Sequence, residues 1–569
     1  MTPIIRGKSL SFRYLSQAEN TLHDLDFEIF AGEKVLIAGA SGSGKSTLSY
    51  CLNGLIPNAY EGEMHGKLEI AGVDSRQASI FDASQVLSTI LQDQDGQFIG
   101  LSVAEDVAFA MENRNFKQDE MRERVEQALF EVGMQDMQRM SPHELSGGQK
   151  QSISLAGVLT TQAPILLFDE PLANLDPQTG QRAMQLIDAI HRQQSKTCII
   201  IEHRIEEVLE QDFDRIIVFE KGRIVANGHP DQILASGCLE QTGLRAPHYI
   251  KLLEYAGCTL EPADRVSEAA HITRDKFRQP ILDWYQRLDG QRAVVRRNRE
   301  LLRLQNLSFA YPSKDPQLEG INFSLCQGEI VCLLGANGAG KSTLSNVISG
   351  ILSPCQGSIY LEGEDVTRSS IMQRGQQIGY VMQNPNLMLT KHVVYDEVAF
   401  ALKLRGMSGD ELRGRVHDTL KVCGLNGYRN WPIAKLSYGQ KKRVSIAAIL
   451  AMEPKLLILD EPTAGQDYRH YNEFMQFIER VAGSGVAILF ITHDMHLALE
   501  YCERALVLCD GKIIADDRPS KVLTDHCLVS RANLKQHSLG KIAELLAVED
   551  PMAFVDGYIA YERQLRDAG

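Results

Sequence analysis

The sequence predicts an α/β fold with mainly parallel sheets, built twice in tandem. Three observations carry this. Apolar runs such as "PILLFDE", "TCIIIEH" and "AILFITH" read as buried parallel strands with polar residues at their ends. They alternate with helical stretches such as "STLSYCLNGL". The chain also repeats itself: "GASGSGKSTL" from Gly39 returns as "GANGAGKSTL" from Gly335, and "LLFDEP" from Leu166 returns as "LILDEP" from Leu457. Matching residues keep a nearly constant offset: Gln92 with Gln383, Leu145 with Leu436, Asp169 with Asp460, His203 with His493.

Two whole domains are therefore expected, over residues 1–257 and 301–569, joined by a linker over 258–300. The repeat outlasts the motifs. "GHPDQILASGCL", Gly228 to Leu239, parallels "DRPSKVLTDHCL", Asp517 to Leu528, so each half ends in a small helical extension. The linker holds Pro262, Pro280 and the arginine-rich "QRAVVRRNRE", Gln291 to Glu300. Those arginines form a solvated face or touch the partner domain or lipid headgroups.

Bulk properties narrow the function. A length of 569 residues exceeds one ordinary core. A formal net charge of −14 argues against a dedicated nucleic-acid binder. The 11 cysteines are scattered without a CxxC pair, which argues against structural zinc and for a reducing cytosol. "MTPIIRGKSLSFRY" lacks the apolar core of a signal peptide, and no apolar run reaches the roughly 18 residues of a membrane span. A membrane role would be that of a peripheral subunit.

The chemistry starts at the glycine loops. G-x-x-x-x-G-K-[ST] fits Gly39 to Ser46 and Gly335 to Ser342, each after an apolar strand, "EKVLIAG" or "EIVCLLG". Glycines let successive backbone N–H groups turn inward around phosphate oxygens, and the next helix adds its positive end. Gly39, Ala40, Ser41, Gly42, Ser43, Gly44, Lys45, Ser46 and Thr47 form one nucleotide cradle. Gly335, Ala336, Asn337, Gly338, Ala339, Gly340, Lys341, Ser342 and Thr343 form the other. Lys45 and Lys341 suit the β- and γ-phosphates of ATP, and Ser46 and Ser342 suit Mg²⁺.

Apolar strands then deliver Asp169-Glu170-Pro171 and Asp460-Glu461-Pro462. Paired buried acids are costly unless a cation sits beside them, and Mg²⁺–nucleotide supplies one. Asp169 and Asp460 suit the metal's outer coordination; Glu170 and Glu461 suit polarisation of the attacking water.

"LSGGQ", Leu145 to Gln149, and "LSYGQ", Leu436 to Gln440, precede these acidic strands, and together they resemble the signature of ATP-binding cassette (ABC) ATPases. The resemblance covers both halves. It implies that each domain adds an antiparallel β subdomain and a helical signature subdomain to its core sheet. It also implies head-to-tail pairing, with each ATP between one domain's glycine loop and the other's signature helix. Ser146 and Gly148, or Ser437 and Gly439, would then face the γ-phosphate from across the pair. Tyr14 in "SFRY" and Tyr311 in "SFAY" resemble the adenine-stacking aromatics. Gln92 and Gln383 resemble the Q-loop glutamines that touch Mg²⁺ and water; His203 and His493 resemble the switch histidines. Tyr438 removes no phosphate ligand, but would clash if its backbone needed a positive φ. Ser152 replaces the usual arginine, and Gln466 in "TAGQD" replaces the usual D-loop leucine, while "ANLD" at Ala173 to Asp176 is ordinary.

"QDQDGQFIGLSVAEDVAFAMEN", Gln92 to Asn113, resembles the Q-loop region of energy-coupling factor (ECF) transporter ATPases, the cobalt- and vitamin-importing branch. This implies an ATPase at the cytoplasmic side of the cell membrane. Its partners would be a transmembrane coupling subunit and a substrate-binding membrane subunit. The two domains would form an intramolecular pseudo-dimer. Glu105-Asp106 and Asp396-Glu397 are expected to receive arginines from the coupling subunit, or to be plain exposed helix charges. A two-cassette ATPase acting on ribosomes and a sugar-importer ATPase are the rival readings. The short, proline-broken linker weighs against the first, and the intact second glycine loop against the other.

Overall fold

The computed structural model describes residues 2–91, 95–173, 175–273, 275–288, 299–312, 316–463 and 468–568. The chain divides into two compact units, Met1–Trp284 with Asp467–Arg469, and Tyr285–Gln466 with His470–Gly569.

The first unit is built on a six-stranded sheet. Its order is Arg223–Gly228, Arg215–Glu220, Lys34–Gly39, Thr197–Ile201, Ile165–Asp169, Leu87–Ile90. All neighbours run parallel except the Arg223–Gly228 edge. The central strands are β-branched and covered on both faces: Val35, Ile37, Ile199, Ile200 and Ile201 are fully buried. Each such side chain contributes roughly 1.5–3 kcal/mol of hydrophobic stabilisation. Parallel strands end on one side, so Gly39, Asp169 and Ile201 all finish at the same edge of the sheet. A separate antiparallel sheet of four strands is ordered Leu22–Phe30, Pro3–Tyr14, Gly62–Ile70, Val73–Asp74.

The second unit repeats this plan. Its six strands are ordered Ile378–Val381, Leu456–Asp460, Ala487–Ile491, Ile330–Leu334, Arg504–Cys509, Lys512–Asp517. Its antiparallel sheet runs Pro316–Cys326, Glu300–Ala310, Gln356–Leu361, Glu364–Asp365.

A helical subdomain comes next in each unit. In the first it comprises Val103–Glu112, Gln118–Glu131 and Gly147–Leu159, packed through Val107, Met111, Leu129 and Ile153. In the second it comprises Val394–Leu404, Gly409–Val422 and Tyr438–Leu450. Here the acids expected to receive partner arginines prove to have local work. Asp106 Oδ1 accepts from the amides of Ile99 and Gly100 at 2.9 and 3.1 Å. Glu105 Oε2 accepts from Leu101 and Ser102 at 3.0 and 3.1 Å, closing a capping box. Buried Glu397 accepts from Thr390 and Lys391 at 2.7 and 2.6 Å. These three carboxylates hold the preceding loops, whereas Asp396 pairs with Lys403 of its own helix at 3.5 Å.

Helical extensions close both units, over Pro230–Ala235, Cys238–Gln241 and His248–Tyr255, and over Pro519–Thr524, His526–Arg531, Ser538–Leu545 and Pro551–Ala568. Within 258–300 lies a helix, Asp275–Arg287, that buries Phe277, Ile281 and Trp284 and carries Pro280 inside it. Tyr255 stacks on Trp284 with ring centroids 6.4 Å apart. Most of the arginine-rich run lies outside the described residues. Among the described residues no helix is long and apolar enough to cross a membrane.

Candidate active site

Each glycine loop joins the central strand to a helix, Lys45–Leu52 or Lys341–Ser349. Gly42 and Gly44 have φ of 74° and 103°, and Gly338 and Gly340 have 83° and 105°, a region that L side chains adopt only with strain. The loops then close over their lysines. Lys45 Nζ donates to the Gly39 and Ala40 carbonyls at 2.7 and 2.8 Å; Lys341 Nζ donates to Gly335 and Ala336 at the same distances. Both ammonium groups are buried within their loops. Neither helix start carries a side-chain cap, and an uncapped helix start suits an anion. Ser46 and Ser342 stand exposed in the first turn.

Tyr14 sits beside the first loop. Its hydroxyl shares a hydrogen bond with Thr47 Oγ1 at 3.2 Å, and its ring meets Phe12 edge-on at 4.8 Å. Tyr60, stacked on Tyr50 at 5.0 Å, adds a second aromatic face there. Tyr311 meets Phe309 edge-on at 4.9 Å in the matching place.

The acids end the strands next to the loops. Glu170 and Glu461 hold φ of 51° and 44°, a left-handed backbone that glutamate rarely adopts. Each is fixed there by its amide, which donates to Ile201 or Ile491 at 2.9 Å. Burial, helped by the neighbouring Glu170, pushes the Asp169 carboxyl up to about 6. Burial and Glu461 also raise Asp460. Burial alone would raise Glu461 too, but His493, Lys341 and Lys442 bring it below the usual range. Such crowded acids are the donor chemistry of a cation site, and Ser46 with Asp169, or Ser342 with Asp460, fits Mg²⁺.

The histidines reach these acids. His493 Nδ1 lies 2.8 Å from Glu461 Oε1. His203 Nδ1 lies 3.7 Å from Glu170 Oε1 and 3.2 Å from Glu202 Oε1. Burial pulls His203 down, but the Glu170 and Glu202 carboxylates outweigh it and raise the ring overall.

The signature loops start helices. Ser146 and Ser437 are the N-caps of Gly147–Leu159 and Tyr438–Leu450. Their hydroxyls accept from the Gln149 and Gln440 amides at 3.4 and 3.2 Å, which leaves each hydroxyl proton to donate outward. Gly148 and Gly439 lie in the first turn. None of Gly147, Gly148, Tyr438 and Gly439 has a positive φ, so the expected conditional clash at Tyr438 does not arise. Instead the Tyr438 hydroxyl donates to the Gln383 carbonyl at 3.2 Å, and Lys441 reaches Asn386 at 3.2 Å. The tyrosine ties the signature helix to the loop that carries Gln383. Gln92 and Gln466 lie outside the described residues.

A family model described as ABC transporter matches residues 22–173 and 318–464. A putative ABC transporter ATP-binding protein of Bacillus cereus is 50% identical over 567 residues, covering 99% of each chain. The chain belongs to the ABC transporter ATP-binding proteins. A similar protein of Enterococcus faecalis is 48% identical over 565 residues, again 99% of both. A second model, described as ATP-binding cassette cobalt transporter, matches residues 236–309, from the first helical extension into the first strand of the second unit. Among solved structures, cbiO1 from Clostridium perfringens is 36% identical; the match covers 43% of this chain and 100% of that one, with a TM-score of 0.39.

Several residues of these ABC cassettes carry no signal of their own in the sequence. Tyr380 donates to Asp460 Oδ2 at 3.1 Å. Fully buried Lys442 donates to the Glu461 carbonyl, where burial pulls its ammonium down to about 8. Its counterpart Gln151 donates to the Pro171 carbonyl at 2.5 Å. Only differences between the halves could have marked them: Tyr380 against Thr89, Lys442 against Gln151, and "ITH" against "IEH".

The Asp169 shift gives one prediction. Its folded value is raised, so the ionised group destabilises the nucleotide-free fold above about pH 6, and this cost fades as pH falls towards 4. Asp169→Asn is therefore expected to raise Tm by about 2–6 °C near neutral pH, and by less below about pH 5. Thermal denaturation at both pH values, without nucleotide, checks this.

Proposed function

We propose that this ABC ATP-binding subunit hydrolyses ATP to energise an importer of the ECF type, from the cytoplasmic face of the membrane. The reading rests on one observation above all: both units carry a loop-held lysine, an acid pair and a histidine at the same sheet edge. The cobalt-transporter model over residues 236–309 supports the branch.

In this mechanism Lys45 and Lys341 exchange their loop carbonyls for β- and γ-phosphate oxygens, and the helix-start amides complete the cradle. Tyr14 and Tyr311 stack on adenine. Ser46, Asp169 and Gln92, or Ser342, Asp460 and Gln383, would hold Mg²⁺, which neutralises phosphate charge when bound. Glu170 and Glu461 orient the attacking water and take its proton; His203 and His493 orient those glutamates and contact the γ-phosphate. Ser437 and Gly439 would close over the nucleotide of the first loop, and Ser146 and Gly148 over that of the second. Closure on ATP and release after hydrolysis would move a transmembrane coupling subunit, which works with a substrate-binding membrane subunit.

The cargo, a vitamin, vitamin precursor or transition-metal ion, would never touch this chain. Co-expression of the full chain with membrane proteins encoded beside it tests the reading. A stable complex with ATP-dependent uptake of such a cargo is expected. Sedimentation with ribosomes instead would overturn it.

A further inference from the structure

Resting on that reading, we infer that the two cassettes hydrolyse ATP at unequal rates because Glu202 draws His203 away from Glu170. Glu202 is fully buried at the end of strand Thr197–Ile201. Its Oε1 accepts from the His203 and Arg204 amides at 2.8 and 3.3 Å, and faces His203 Nδ1 at 3.2 Å. Its Oε2 is buried with no partner among the described residues. A buried carboxylate left half-satisfied is costly, so a role outside packing is the economical explanation for keeping it.

The matching residue in the second cassette is Thr492. It performs the same backbone task, accepting from the Asp494 amide at 3.0 Å, without any charge. Its hydroxyl donates to Glu461 Oε2 at 3.4 Å, so it supports the acid rather than competing with it. An imidazole Nδ1 carries at most one proton and makes one good hydrogen bond with it. In the second cassette that bond goes to Glu461 at 2.8 Å; in the first, Nδ1 is shared between two carboxylates, 3.2 Å from Glu202 and 3.7 Å from Glu170, and both act on the ring.

The surroundings point the same way. Tyr380 holds Asp460 at 3.1 Å, whereas Thr89 in the matching place has a buried hydroxyl without a partner among the described residues. Lys442 adds a cation beside Glu461 from beneath; Gln151 in its place is neutral, and Arg204 supplies the cation beside Glu170 instead. The second cassette has its acids pre-positioned; the first has a third acid competing for the histidine. Glu202 is thus a positioning residue that acts through His203.

Single-turnover hydrolysis with the full chain in excess over Mg²⁺–ATP tests this. Two phases are expected, the slower by at least about ten-fold, a modest part of what an oriented base supplies. Glu170→Gln should remove the slow phase. Glu202→Gln keeps the amide-accepting oxygen but removes the charge, and should merge the two phases at the faster rate without changing ATP affinity. Glu202→Thr, which installs the residue of the second cassette, should do the same if the glutamine variant folds poorly. A single phase in the unmodified chain, or two phases that neither variant alters, would overturn the inference. No hydrolysis at all by the unmodified chain would instead refute the ATPase reading on which it rests.

Discussion

A chain carrying both Glu170→Gln and Glu461→Gln should bind ATP as tightly as the unmodified protein and hydrolyse it at least about 10²-fold more slowly. The substitution is nearly isosteric, and the backbone that places each side chain is fixed by an amide bond to Ile201 or Ile491. What is lost is the capacity to take a proton. The amide also no longer adds a negative charge to the crowded Asp169 or Asp460. ATP should therefore be held for longer, and nucleotide retained after gel filtration should be ATP rather than ADP. Turnover within about two-fold of the unmodified chain would remove both glutamates from the mechanism.

Lys45→Ala combined with Lys341→Ala should weaken ATP binding by about 10²-fold or more, through loss of a charge-assisted phosphate contact in each loop. The nucleotide-free loops should suffer as well. Each lysine bridges two carbonyls of its own loop, Gly39 and Ala40 or Gly335 and Ala336. Removing it leaves those carbonyls to water and loosens the cradle before any ligand arrives. Isothermal titration with a non-hydrolysable ATP analogue separates this pair from the glutamine pair, which should bind normally. Unchanged affinity would place the phosphates elsewhere.

The glycine loops, the acidic strand ends and the histidines were legible in the sequence because their chemistry is local. A phosphate cradle needs glycines at fixed spacing, and a buried strand ending in two acids declares itself. The mainly parallel character of the core sheets was legible in the same strands. The charges on the helical subdomains were only half legible, for a physical reason. An acid in a helix's first turn looks free in a sequence, yet the preceding loop's amides capture it, as with Asp106 and Glu397. Glu202, Tyr380 and Lys442 were invisible in a different way. Their roles depend on which atom lies across a strand or beneath a helix, and no spacing rule encodes that. Tyr438 looks in the sequence like a substitution to be tolerated; the structure gives its hydroxyl a partner.

The left-handed backbone at Glu170 and Glu461 also shapes how such a chain can decay over generations. A glutamate codon is one base change from glycine, aspartate, alanine, valine, lysine or glutamine. Valine is the residue least able to hold a positive φ, so that route costs fold as well as chemistry. Glycine relieves the backbone by about 1 kcal/mol. A cassette released from selection for hydrolysis is thus biased by its own backbone towards glycine, at the expense of the histidine contact and the neighbouring cations that favour the glutamate's charge.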